Sequence, residues 1–140
     1  MKRGYKLITD GTDNHIVLMS CIDKGLTGSK VETACDEVHI TLNKNTIIGD
    51  KSAITPGGVR IGTPAVTTRG YVDNDMREVG RYIDELFKIS LGIQASKGKK
   101  LSDFKVGLKE SKEIVQLRDE VHNFSMQFDI PGFAVKDIDL

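Results

Sequence analysis

The sequence predicts an α+β fold in which a small antiparallel or mixed sheet packs against helices. Three observations predict it. Short apolar runs of strand length occur in the first half, at "YKLI", "HIVLM", "HITLN" and "VRIG". Three longer stretches, around residues 27–38, 73–87 and 114–128, repeat their apolar residues at helical spacing, and the two periods separate a pleated strand from an amphipathic helix. The chain has 140 residues, which fits a single domain with its own hydrophobic core.

Taken in order, "YKLI" and "HIVLM" read as two strands joined by the polar turn "TDGTDN", where Asp10, Gly11, Asp13 and Asn14 favour tight backbone conformations. The unbroken apolar run at residues 16–19 suits a strand covered on both faces. Thr27 caps a short helix whose buried stripe is Val31, Ala34, Cys35 and Val38. In "HITLN", Ile40 and Leu42 alternate with polar neighbours as a half-buried strand requires. Residues 43–58 show no periodicity and carry Gly49, Pro56, Gly57 and Gly58, so they read as a long loop. "VRIG" follows as a strand with Val59 and Ile61 on one side and Arg60 on the other. Asp73 and Asp75 favour the start of the strongest helix, backed by Met76, Val79, Ile83, Leu86 and Phe87. "GIQASKGKKLSDF" reads as a solvated connection. Ile114, Leu117, Val121, Phe124 and Phe128 predict a last helix that Pro131 and Gly132 end, with the tail "FAVKDIDL" beyond.

Composition excludes several functions. Twenty basic residues balance twenty acidic ones, so no bulk field attracts nucleic acid or an anionic membrane. No run approaches the ~20 apolar residues that cross a bilayer, and "MKRGYKLITD" lacks a secretory signal. These features predict a water-soluble chain in a cytoplasmic setting, with an organelle left open. Cys21 and Cys35 form no Cys-x-x-Cys pattern and are expected as buried, reduced thiols. His15, His39 and His122 share no metal-ligand spacing, so no metal is expected. "GDKS", with Asp50 and Lys51, lacks the glycine spacing of a phosphate loop, and "GGVRIG" precedes a strand where a dinucleotide fingerprint opens a helix. No nucleophile motif is present.

Two features remain as candidate sites. Arg60 carries a permanently charged planar fork that matches a carboxylate in two parallel hydrogen bonds; a plain surface arginine and a structural ion pair are the other readings. Asn43, Lys44, Asn45 and Thr46 cluster at a strand end. Their amides suit a heterocycle with mixed donor and acceptor edges, and equally suit ordinary turn chemistry.

Put side by side, "TDGTDNHIVL", "KGLTG", "NKNTIIGDKSAITPGGVRIGTPAVTTRG" and "LRDEVHNFSMQFDIPGF" resemble the C-terminal region of serine hydroxymethyltransferase. The likeness runs in order over nearly the whole chain. It implies the small C-terminal domain of a fold-type I enzyme dependent on pyridoxal 5'-phosphate. Such an enzyme interconverts serine plus tetrahydrofolate with glycine plus 5,10-methylenetetrahydrofolate, in one-carbon metabolism. By this resemblance the arginine of "RIGTP", Arg60, pairs with the substrate carboxylate, and Asn45, with Thr46 beside it, contacts folate. Ile48 stands where a proline is common and Gly57 where a small polar residue is common.

The resemblance further implies what is missing. The motif with the lysine that holds the cofactor, the aspartate facing its pyridine nitrogen and the glutamate near the transferred carbon have no counterparts in this sequence. Residues 1–140 are therefore expected to be one C-terminal domain, with the large cofactor-binding domain absent from the chain, no catalytic or cofactor-binding residue of its own, and no activity alone. The whole enzyme is expected to be a homodimer or homotetramer. The alternative expectation is a truncated, non-catalytic module that docks on a full-length subunit.

Overall fold

The polar turn after the first apolar run decides how the chain begins. The structure, a computed structural model, describes residues 3–132; the tail predicted at residues 133–140 lies outside the described residues. Asp10 adopts a left-handed conformation, φ 56°, and its amide bonds the Leu7 carbonyl. The Asn14 carboxamide accepts from the Ile16 amide at 2.8 Å, and the Thr12 hydroxyl donates to the Ile16 carbonyl at 2.6 Å. These bonds launch β1, Ile16–Ser20. The strand expected over "YKLI" reduces to one bridge between Leu7 and Met19, because the Asp10 turn folds the chain back before a ladder can form.

A single 3-10 turn, Ile22–Lys24, leads to α1, Gly28–Glu37. The Thr27 hydroxyl accepts from the Lys30 amide, the cap the sequence predicts. Val31, Ala34 and Cys35 of α1 are buried, as is Val38 beyond its end. The helix starts hard against the sheet. A Cβ on Gly28 would lie 2.1 Å from the Gly58 carbonyl oxygen and 2.9 Å from that of Pro56. Backbone cannot swing aside as a side-chain tip can. Gly28→Ala is therefore expected to destabilise the fold by about 2–3 kcal/mol, seen as a lower urea midpoint at unchanged m value.

The strand expected over "HITLN" does not form there. His39 turns left-handed at φ 60°, and the Ile40 amide bonds back to the Cys35 carbonyl, which removes the donor a ladder would need. Leu42 is nonetheless buried, and pairing starts only with β2, Asn43–Asn45. β3, Gly58–Gly62, is the middle strand of an antiparallel sheet ordered β1-β3-β2. β1 is not covered on both faces as its apolar run suggests: Ile16 and Leu18 stay half-buried.

Helices complete the core. α2, Pro64–Thr68, was not expected from sequence; it opens on a proline whose missing amide costs nothing at a first helical turn. α3, Asp73–Lys97, takes in half of the supposed connection, and α4, Leu101–Glu110, takes in the rest. Only residues 98–100 separate them. Ile93 and Phe104, both inside that stretch, are 7% and 0% exposed. α5, Lys112–Ser125, ends earlier than Pro131. Phe128 lies past its end, where its ring stacks on Tyr71 at 3.9 Å between centroids. The Arg69 guanidinium donates to the carbonyls of Ser125, at 2.7 Å, and Phe128, at 2.6 Å, so the C-terminus of α5 is tied to α2.

Candidate functional site

Register decides which side chains share a face. Arg60 on β3 lies opposite Leu18 of β1 and Asn43 of β2, while Gly58 lies opposite Ser20 and Asn45. Directly opposed residues point to the same side of a sheet. Arg60, Asn43, Asn45 and Leu18 therefore occupy one face, and Val59, Met19 and Lys44 the other. In such pairing the opposed Cβ atoms are ~5 Å apart and diagonal neighbours ~7–8 Å, so the structure brings Arg60 within side-chain reach of both asparagines. Val59 is wholly buried and Arg60 exposed, the parity that "VRIG" predicts.

The Arg60 guanidinium makes no hydrogen bond or ion pair with any described residue. Most other arginines are engaged. Arg3 pairs with Asp84, Arg81 with Glu78, Glu85 and Glu120, and Arg118 with Glu37. Arg77 is also unpaired, but it sits on the exposed flank of α3. Arg60 is thus a fixed positive charge on a central strand whose neighbours are locked in the core, with its donors unspent.

Asn45 is half-buried at the end of β2, and its Nδ2 donates to the Thr46 carbonyl at 2.6 Å. Thr46, one residue further, is exposed. Lys44 departs from the cluster expected at "NKN": it points to the opposite face, where its Nζ bonds Glu32 at 2.8 Å. Burial pushes the Glu32 carboxyl up, yet the bonds from the Lys44 ammonium and amide hold it below its ordinary value.

The loop between β2 and β3 is organised by Asp50, in the "GDKS" segment that lacks the spacing of a phosphate loop. Asp50 Oδ2 accepts from the Ile47 amide at 2.9 Å and the Gly57 amide at 2.8 Å. The legible signal was an aspartate beside a glycine in a turn-rich segment. Ile48 and Ile54, 92% and 86% exposed, stand on the outside of the same loop.

The remaining candidates serve the fold. Cys21 and Cys35 are buried and unpaired; burial pushes the Cys21 thiol up to about 12 and that of Cys35 higher still. No group of three or more histidine, cysteine or carboxylate residues that could hold a metal ion is found among the described residues. No helix among them is long and apolar enough to cross a membrane. The strand positions on the Arg60 face are Ile16, Leu18, Ser20, Asn43, Asn45, Gly58, Arg60 and Gly62. None is a lysine, so this face does not by itself fit a cofactor that needs a covalent amine.

A family model described as serine hydroxymethyltransferase matches residues 1–83. Serine hydroxymethyltransferase 5 of Arabidopsis thaliana is 46% identical over 137 residues, covering 98% of this chain and 29% of the plant protein. The cytosolic serine hydroxymethyltransferase of Candida albicans is 46% identical over 131 residues, 91% of this chain and 28% of its own length. The mitochondrial protein of Kluyveromyces lactis is 40% identical over 139 residues, 94% of this chain and 28% of its length. The chain thus spans less than a third of the curated relatives it matches, and those relatives carry both cytosolic and mitochondrial names.

Proposed function

This chain belongs to the serine hydroxymethyltransferase family, and from that premise we propose that it forms the substrate-carboxylate and folate wall of a pyridoxal-phosphate-dependent glycine hydroxymethyltransferase. The observation that carries the reading is Arg60: an unpaired guanidinium on the central strand, on the same face as Asn43 and Asn45. A charged fork with nothing inside the domain to satisfy it suits the carboxylate of serine or glycine. Asn45, with Thr46 beside it, is assigned to the folate ring system, whose edge offers donors and acceptors together.

The cofactor supplies an electron sink when bound, and it is held by the part of the enzyme outside this chain. What these residues contribute is orientation. Arg60 fixes the substrate carboxylate, which sets the direction of the bond to be broken, and Asn45 holds the one-carbon acceptor alongside. A homodimer or homotetramer of the complete polypeptide completes the site.

A titration tests the division of labour. The chain alone, mixed with stoichiometric pyridoxal phosphate, is expected to show no stable absorbance band of a cofactor bound to a protein amine and no serine turnover, while the complete polypeptide shows both. A stable one-to-one band in the isolated chain would overturn the assignment of the cofactor to other residues.

A further inference from the structure

We propose that Asp50 is a positioning residue for Asn45, a clasp that fixes the end of β2 against the start of β3; this rests on the reading of Asn45 as a folate contact. One carboxylate oxygen, Oδ2, accepts from both the Ile47 and Gly57 amides, at 2.9 and 2.8 Å. Ile47 is two residues beyond Asn45 and Gly57 three residues before Arg60. Beyond the β2–β3 ladder, which ends at the Asn45–Gly58 pair, no other hydrogen bond among the described residues joins these two ends of the loop.

The space at residue 57 fits this role. A Cβ there would stand 2.4 Å from Asp50 Oδ1 and 2.3 Å from Ile22 Cδ1. The carboxylate lies directly against the backbone of Gly57, which is where this chain departs from the small polar residue of the family pattern. On its other side the Gly57 carbonyl accepts from the Cys21 and Ile22 amides, at 2.9 and 3.3 Å. Residue 57 is therefore fixed from both sides, and Asp50 transfers that fixity to the β2 end.

The two strands depend on the clasp unequally. β3 pairs with β1 over five positions and buries Val59 completely. β2 is a three-residue edge strand. Loss of the clasp leaves Asn45 held only by the last pair of a short edge ladder and leaves Arg60 in place, so its signature is a selective loss of folate recognition. A defect that merely loosened the domain would affect both substrates.

The test uses the complete polypeptide. Asp50→Ala is expected to raise the Michaelis constant for tetrahydrofolate about tenfold, the scale expected of a contact displaced by a fraction of an ångström to an ångström, with that for serine within about twofold. Asp50→Asn keeps a carbonyl oxygen able to accept the same amides and is expected to restore most of the folate constant. If Asp50→Ala does not accumulate folded, Gly57→Ala displaces the carboxylate instead and should give the same selective rise. An unchanged folate constant in both variants, or equal rises for both substrates, overturns the clasp. Asn45→Ala measured alongside separates the two ideas. If it leaves the folate constant unchanged, the folate reading itself fails; if it raises it while Asp50→Ala does not, only the clasp fails.

Discussion

Arg60→Lys in the complete polypeptide is expected to raise the Michaelis constant for serine by about 10- to 100-fold and to lower kcat as well, with the folding stability unchanged. The magnitude follows from the bond at stake. A hydrogen bond to a charged partner contributes ~1.5–3 kcal/mol, and 1.4 kcal/mol is tenfold in binding. Lysine keeps the charge but replaces a two-pronged planar donor by a single point, so it loses direction more than attraction. The loss of direction is what reaches kcat, because a carboxylate held at one point lets the substrate turn. Stability is spared for a reason visible in the fold: the guanidinium has no partner among the described residues to lose, and solvent-facing substitutions without partners shift stability by ~0.5 kcal/mol or less. Urea denaturation beside steady-state kinetics separates the outcomes. Unchanged serine kinetics remove Arg60 from the site, and a large stability loss marks it as structural.

The face that carries Arg60 was legible because strand parity needs only local alternation. Val59 and Ile61 had to turn inward together, which left Arg60 no choice. What was not legible was who stands opposite. The strand read at "HITLN" starts four residues too early. Its alternation of Ile40 and Leu42 is real, but the left-handed His39 and the Ile40 amide bound to Cys35 spend that segment on ending α1. Pairing across a sheet is a non-local fact, and a period-2 pattern cannot say where a neighbour's hydrogen bonds begin. The same limit hid Asp50, whose two acceptor bonds span residues 47–57 and leave no spacing that a motif could capture.

Residues 92–104, expected as a solvated connection, are mostly helix, and a core substitution tests this. Phe104→Ala is expected to destabilise the fold by about 3–5 kcal/mol, which lowers the urea midpoint by roughly 2 M at an ordinary m value. Lysines and glycine made "GIQASKGKKLSDF" look solvated, since Lys97, Lys99 and Lys100 are indeed exposed. The buried side chains of the stretch, Ile93 on α3 and Phe104 on α4, stand on either side of a short break, and Phe104 is fully buried, 0% exposed. The ring also faces the Lys30 ammonium, 5.4 Å from its centroid. Burial, with Lys99 nearby, holds that amine below the usual lysine value, and its other partner is the Gln94 carboxamide. Truncating the ring therefore opens a cavity and strips a buried cation of one of its two companions. Val106→Ala, on the opposite side of α4 at 51% exposure, is expected to change stability by ~0.5 kcal/mol or less. If the two substitutions prove equally mild, residues 101–110 are a solvated connection after all. A large difference between neighbours two residues apart establishes that they form one packed helix.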